Sequence, residues 1–307
     1  MSRIDTYDTS TLLRYTRDVS DLDGYYEDLI WIGSDSSYHY LIADVSGGEG
    51  IDYMLASYNA DATLRWKNTD RFFTNSEAGS FMVNSNYLYT ISQPTTPINI
   101  EKYSKTDGGF VEAIDISASG IRPAERFWIN DDETLVFGQK SGYNAIIYNI
   151  LTETEQTSFE FISLNVIGKG SYLYCVADDY YLRQIDWSGN ILSIYNADTV
   201  SDEFKGFDVN GNYVTLINSS DKSVAVLDLN LNLLRTIATN TLDYAPKIIT
   251  HDNSYIFLIG DIVFPPPSDS YFAIYRTPIS DGTEWELVAE YIGIIPSAIW
   301  NTPALRK

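Results

Sequence analysis

Few residues in this chain could do acid–base or nucleophilic chemistry at neutral pH. Its two histidines, His39 and His251, fall at or beside turns in different parts of the repeat described below. Neither a Ser-His-Asp triad nor a multi-histidine metal site is therefore expected, and both are interpreted as surface side chains. The single cysteine, Cys175, stands in the apolar run YLYCVA and is interpreted as a buried small residue.

Carboxylates offer another route to catalysis, because two of them suffice for glycoside hydrolysis. The pair Asp178-Asp179 follows a strand-like segment, and the pair Asp131-Asp132 lies in a turn. Asp is common in turns because its short side chain bonds nearby backbone, so a structural role is favoured for both pairs. No catalytic residue, metal ligand or cofactor is predicted, since the sequence has no phosphate-binding loop, Cys-x-x-Cys pair or EF-hand spacing.

The elements that would carry these side chains belong to a repeat of four short strands. In each copy, a first strand of alternating apolar and polar residues leads to a turn with Asn, Asp or Gly. A Tyr-rich second strand and a variable loop come next. A hairpin of the third and fourth strands ends the copy. The clearest copies cover residues 164–195 and 204–237. The end of the third strand recurs every 38 to 51 residues, a spacing typical of β-propeller blades. These markers are Tyr7, Tyr58, Tyr103, Tyr148, Asp186, Asp228 and Tyr275.

The third strand, turn and fourth strand resemble the repeats of quinoprotein-type and WD-type propellers. Residues 56–66, ASYNADATLRW, and residues 183–192, RQIDWSGNIL, carry this resemblance, which extends over nearly the whole chain. It implies a propeller fold, and it carries over no quinone-site or metal residues. No specific family is assigned.

The two chain ends together have the length of one further blade. Its outer strands would be residues 3–7 and 12–15, and its inner strand residues 294–300. The sequence therefore predicts an all-β protein, a seven-bladed β-propeller whose closing blade is shared by the N- and C-termini, in a single domain over residues 1–307. A β-sandwich pair and a β-solenoid are the alternatives.

Composition restricts the partners. The chain has 42 acidic and 20 basic residues, a net charge of -22, which disfavours binding to nucleic acids and to anionic membrane surfaces. The sequence shows no N-terminal signal segment and no apolar run of 18 residues. Membrane insertion is therefore not expected, and a cytoplasmic or virion location is predicted.

Binding is predicted at loops that would share one end of the blades. The candidate binding residues are Tyr143, Asp178, Asp179, Tyr180, Tyr244 and Tyr271. The leading hypothesis is a non-catalytic binding or structural propeller that contacts protein partners in a larger assembly, such as a virion or tail component, or that serves as a scaffold. The alternatives are a lectin-like glycan binder and a carboxylate-dependent glycoside hydrolase or lyase.

Overall fold

The protein is described by a computed structural model over residues 3–7, 14–18, 26–34, 38–46, 51–59, 63–74, 81–84, 86–91, 97–122, 127–140, 144–196, 206–218, 221–242, 245–252, 254–262 and 271–292. These ranges contain 26 β-strands and one short 3-10 helix, Ser117–Ser119. Within them, no helix is long and apolar enough to cross a membrane.

Strands β1 (Arg3–Tyr7) and β2 (Arg14–Asp18) pair with each other, and the remaining strands form six four-stranded sheets, here called blades. Blade 1 has β3 (Tyr26–Ser34), β4 (Tyr38–Ser46), β5 (Ile51–Asn59) and β6 (Leu64–Thr74). Blade 2 has β7 (Phe81–Val83), β8 (Tyr87–Ile91), β9 (Asn99–Ser104) and β10 (Phe110–Asp115). Blade 3 has β11 (Trp128–Ile129), β12 (Leu135–Gln139), β13 (Ala145–Asn149) and β14 (Thr154–Phe159). Blade 4 has β15 (Ser163–Lys169), β16 (Tyr172–Ala177), β17 (Tyr181–Asp186) and β18 (Ile191–Asn196). Blade 5 has β19 (Phe207–Asn210), β20 (Tyr213–Asn218), β21 (Ser223–Asp228) and β22 (Leu233–Ala238). Blade 6 has β23 (Ala245–His251), β24 (Tyr255–Ile262), β25 (Tyr271–Pro278) and β26 (Glu286–Ile292).

Each blade is an antiparallel meander in which consecutive strands are neighbours. The first strands of successive blades lie side by side at β3 and β7, at β11 and β15, at β15 and β19, and at β19 and β23. First strands are therefore innermost and fourth strands form the outer rim. Burial follows this order, since β17 is buried along most of its length whereas β18 is largely exposed.

The apolar core is divided among the interfaces between consecutive blades. One cluster packs Tyr174 and Leu182 of blade 4 against Phe207 and Leu216 of blade 5. Equivalent clusters join blades 1 and 2, 2 and 3, 3 and 4, and 5 and 6. In blades 2 to 5 both faces are thus covered by neighbouring blades, which explains the near-continuous apolar runs of their second and third strands.

The hairpin of the third and fourth strands has a one-residue bulge at the same place in all six described blades. In each case one residue near the start of the fourth strand has no partner on the third strand. The bulged residues are Arg65, Val111, Gln156, Leu192, Leu234 and Val288. Because a bulge increases local twist, its repetition gives the six hairpins a common shape at the rim.

Aspartate closes two of these hairpins in an identical way. Oδ1 of Asp186 accepts hydrogen bonds from the backbone N–H groups of Ser188 and Asn190, and Oδ2 accepts one from Asn190 Nδ2 at 2.9 Å. Asp228 makes the same three contacts with residues two and four positions later. The many aspartates at turns therefore do structural work that glutamate is too long to do.

The predicted blade count is wrong, because the described residues form six four-stranded blades and not seven. The predicted strand at residues 3–7 is present, and the second strand is Arg14–Asp18 and not residues 12–15. Among the strands that the structure describes, these two pair only with each other, as a two-stranded sheet. The predicted inner strand, residues 294–300, lies outside the described residues. The residues at the two chain ends together have the length of one blade, but length alone does not predict four paired strands. The single domain over residues 1–307 stays a prediction.

Candidate functional site

The turn between β16 and β17 carries three of the predicted binding residues, Asp178, Asp179 and Tyr180. It is tight, since the Tyr180 N–H donates to Ala177 O at 2.9 Å and Tyr180 has a φ of 63°. Asp178 ties the turn to the segment that enters the blade: its N–H donates to Ile162 O, and its Oδ1 accepts from the Ile162 N–H at 3.1 Å. The turn is therefore held by backbone contacts at both ends.

Asp179 is engaged by an arginine from the following strand. Arg183 Nη1 donates to Asp179 Oδ1 at 2.8 Å, and Nη2 donates to Oδ2. The Arg183 guanidinium also lies over the Phe161 ring, 4.6 Å from its centroid. The hydrogen bonds from Arg183 lower the pKa of Asp179, and the hydrogen bond to Asp179 raises the pKa of Arg183. Asp179 is thus stabilised as a carboxylate, which suits an ion pair and does not suit a general acid.

The other predicted binding residues contribute less to a site. Tyr180 is half-buried and packs against the cluster between blades 4 and 5. Tyr271 is the first residue of β25, paired with Ile262, and not a loop residue as predicted. Tyr143 and Tyr244 lie outside the described residues. The structure thus brings Asp178, Asp179 and Tyr180 together, whereas the grouping of all six residues stays a prediction.

Both histidines are buried, so their interpretation as surface side chains is wrong. His39 is 3% exposed and His251 is 0% exposed. Each belongs to a strand of a blade, β4 or β23. Their place near a turn suggested exposure, but contacts with residues of blade 5 enclose His251.

His251 belongs to a hydrogen-bonded network that joins blades 5 and 6. Its Nδ1 lies 2.9 Å from Thr215 Oγ1, and its Nε2 lies 3.0 Å from Asn210 O. Asp208 Oδ2 accepts hydrogen bonds from Thr250 Oγ1 and from the His251 N–H, at 2.9 and 3.0 Å. Because the His251 ring is fully buried, a substrate cannot reach this group of Asp, His and Thr side chains, and the group links blades 5 and 6.

A lysine and a glutamate form an ion pair that links blades 2 and 3. Lys102 Nζ lies 2.5 Å from Glu133 Oε2 and 3.1 Å from Glu112 Oε1. Tyr89 donates its hydroxyl to Glu133 Oε1 at 2.7 Å. Burial, together with the hydrogen bond to Glu133, raises the pKa of Tyr89. This cluster was not predictable from the sequence, because Tyr89, Lys102 and Glu133 are far apart along the chain.

The structure also describes the surroundings of the one candidate nucleophile, Cys175, and of possible metal ligands. Cys175 is buried as predicted, and its burial raises the pKa of the thiol to about 12, so its thiolate is scarce at neutral pH. Among the described residues, no group of three or more His, Cys, Asp or Glu side chains could hold a metal ion.

The outer rim carries a feature that the sequence interpretation missed. Several fourth strands expose large apolar side chains, and blades 4 and 5 contribute most of them. From β18 these are Ile191, Leu192 and Ile194, and from β22 they are Leu233 and Leu234, with exposures between 43% and 55%. The signal was present as the uncharged run ILSIY and the pair LL after each Asp-closed turn. These runs were interpreted only as strands.

No family model matches the sequence, and no curated protein matches it. Similar solved structures include the β-propeller domain of Cps50 (Swd1) from Myceliophteria thermophila, with 9% identity and a TM-score of 0.53, covering 88% of this chain and 90% of that one. The computationally designed Ika8 protein has 13% identity and a TM-score of 0.51, covering 88% and 89%. BamB from Moraxella catarrhalis has 11% identity and a TM-score of 0.43, covering 84% and 86%.

The class of protein follows from the meander blades and from the likeness to the Cps50 β-propeller domain. The chain is an all-β β-propeller, and the predicted similarity to propeller repeats, without a specific family, is confirmed. At such low identity the likeness defines the fold alone.

Proposed function

We propose that this β-propeller is a non-catalytic protein-binding platform and that its partner contacts the outer rim of blades 4 and 5. The observation that carries the proposal is the set of exposed apolar side chains on β18 and β22, the outer strands of two consecutive blades. Several large exposed apolar side chains on the same strand are typical of protein-interaction surfaces. The buried polar contacts between blades, at His251 and at Lys102, favour a rigid propeller, and rigidity lowers the entropic cost of binding.

The chemistry of the polar candidates supports a non-catalytic role. The Asp179 carboxylate is held by Arg183, and the His251 ring is fully buried. A general acid needs a carboxyl whose pKa is raised towards neutrality, the opposite of the shift at Asp179. In the more specific form of the proposal, the partner belongs to a larger assembly, a virion or tail particle or a cytoplasmic scaffold.

The test is stoichiometric co-purification of the tagged chain from the organism it comes from, quantified for three versions. Wild type and Leu151→Glu should retain one partner in a fixed ratio, whereas Leu234→Glu should lose it at least tenfold. Leu151 is the matched control because it is 74% exposed and lies in a turn of blade 3, outside β18 and β22. Absence of a stoichiometric partner from wild type, or equal loss in both variants, would overturn the proposal.

The two other functions predicted from the sequence have their own readouts. A glycoside hydrolase would lose turnover on a polysaccharide panel in Asp179→Ala while a thermal melt stays cooperative. A glycan binder would give array signals that disappear in Tyr180→Ala. Either result, obtained with a chain that retains no protein partner, would replace the platform proposal.

A further inference from the structure

The outer strand of blade 4 differs from the other outer strands in its charge. Within the six described blades, β18 alone of the fourth strands contains no charged residue: its sequence is ILSIYN. The others contain at least one, with the sequences LRWKNTDRFFT, FVEAID, TEQTSF, LLRTIA and ELVAEYI. Charged side chains on edge strands discourage pairing with another chain, so β18 lacks the protection that the other blades have.

The side chains of β18 divide between its two faces in a way that leaves one apolar face open. Tyr195 is half-buried and packs against the cluster between blades 4 and 5. Ile194 alternates with it and is 55% exposed, and Leu192, the bulged residue of this hairpin, is 48% exposed. A strand added beside β18 would place one of its alternate side chains against Ile194.

The charges around β18 indicate what kind of chain would pair with it. Asp186 lies in the turn that precedes β18, and Asp178 and Asp179 lie just before Tyr181, which pairs with Asn196 at the far end of the strand. Asp179 forms an ion pair with Arg183, so the acidic residues that characterise the two ends of this strand are Asp186 at one end and Asp178 at the other. A second copy of the chain, with a net charge of -22, would be repelled, whereas a segment with basic ends would be attracted.

We infer that the outer edge of β18 accepts an extended segment of a partner protein as a fifth strand of blade 4, and that this segment is apolar at alternate positions and carries Lys or Arg at both ends. This inference rests on the proposed function and names the kind of partner. The six residues of β18 correspond to an added strand of about 20 Å. Backbone hydrogen bonds would supply affinity, and contact with Ile194 would supply selectivity.

The probe is a synthetic nonapeptide, Lys-Lys-Val-Thr-Val-Thr-Val-Lys-Lys, titrated by fluorescence anisotropy against the full chain. We expect saturable binding that weakens as salt is raised, together with slower hydrogen exchange of the β18 backbone amides. Replacing the four Lys by Glu, or the central Val by Pro, should each weaken binding at least tenfold. The chain variant Ile194→Lys should do the same, whereas Leu234→Lys on β22 should bind the peptide as wild type does.

Each unfavourable outcome has a distinct meaning. No binding to wild type at millimolar peptide, or protection of amides other than those of β18, would overturn the strand-pairing inference. Dimerisation of the free chain that Ile194→Lys abolishes would identify a second copy as the occupant and also overturn it. If Ile194→Lys keeps the co-purified partner while Leu234→Glu loses it, strand pairing fails and the platform proposal stands. Melting temperatures within about 3 °C of wild type would show that the variants fold, since both side chains are exposed.

Discussion

The indole ring of Trp66 in blade 1 lies directly against Gly108 in the turn of blade 2. A Cβ on Gly108 would come within 2.4 Å of the Trp66 ring, and Trp66 Nε1 donates to Lys105 O of the same turn at 3.1 Å. The pattern recurs between blades 3 and 4, where Thr157 donates to Ser188 O and occupies the space beside Gly189. A side chain one residue beyond the bulge thus docks on the turn of the next blade.

Replacement of Gly108 tests how much this docking contributes to stability. Gly108→Ala should lower the free energy of unfolding by about 3 kcal/mol, because the new methyl group displaces Trp66 and the residue has a φ of 74°. Gly170→Ala is the control, since Gly170 has a φ of 58° and nothing within 4 Å of its Cβ position. It should cost about 1 kcal/mol, the backbone effect alone. Equal losses in urea denaturation would contradict a packing role for Trp66.

The repeat was predictable because its turns and alternation are local. Asn, Asp and Gly marked the hairpins, and apolar runs marked the second and third strands. The residues chosen from the sequence to mark the end of each third strand were also nearly at equivalent positions. Tyr58, Tyr103, Tyr148 and Tyr275 face the bulge, but in blades 4 and 5 the equivalent residues are Ile185 and Leu227, one before the chosen aspartates.

The blade count and the surroundings of the polar residues were not predictable, because both depend on contacts between distant parts of the chain. Two strands at Arg3–Tyr7 and Arg14–Asp18 look the same in sequence whether they pair alone or join a larger sheet. Burial of His251 comes from blade 5, and Glu133, one of the partners of Lys102, comes from blade 3; no local pattern in the sequence indicates either contact. The candidate turn at Asp178 was predictable as a turn, whereas the bond between Asp179 and Arg183 was not recognised.

The buried ion pair between Lys102 and Glu133 should matter more than an exposed pair of the same type. Burial lowers the pKa of Lys102, but the hydrogen bonds with Glu133 and Glu112 outweigh that effect and the pKa is raised. Lys102→Met should lower the free energy of unfolding by about 2 kcal/mol, because Glu133 and the Tyr89 hydroxyl lose a cation in a largely desolvated site. Denaturation in guanidinium chloride measures this loss.

Lys140 provides the matched control for that substitution. It pairs with Glu155 at 3.0 Å, and both side chains are well exposed. Lys140→Met should therefore cost less than about 1 kcal/mol, as is usual for surface pairs. A Lys102→Met variant no less stable than Lys140→Met would show that blades 2 and 3 are held by their apolar cluster alone.

The ion pair between Asp179 and Arg183 should make part of the stability dependent on acid. Because the hydrogen bonds from Arg183 lower the pKa of Asp179, this group stabilises the folded state above its unfolded pKa of about 4. The contribution is lost as pH falls through the lower, folded-state pKa. Asp179→Asn should therefore be less stable than wild type at pH 7, and the two should converge as the pH falls through the lowered pKa of Asp179. Asp178→Asn keeps an oxygen to accept the Ile162 N–H and should follow the wild-type curve throughout. Thermal melts of the three proteins between pH 2.5 and 7 measure this; a constant offset for Asp179→Asn would mean that lost packing, and not lost charge, causes the effect.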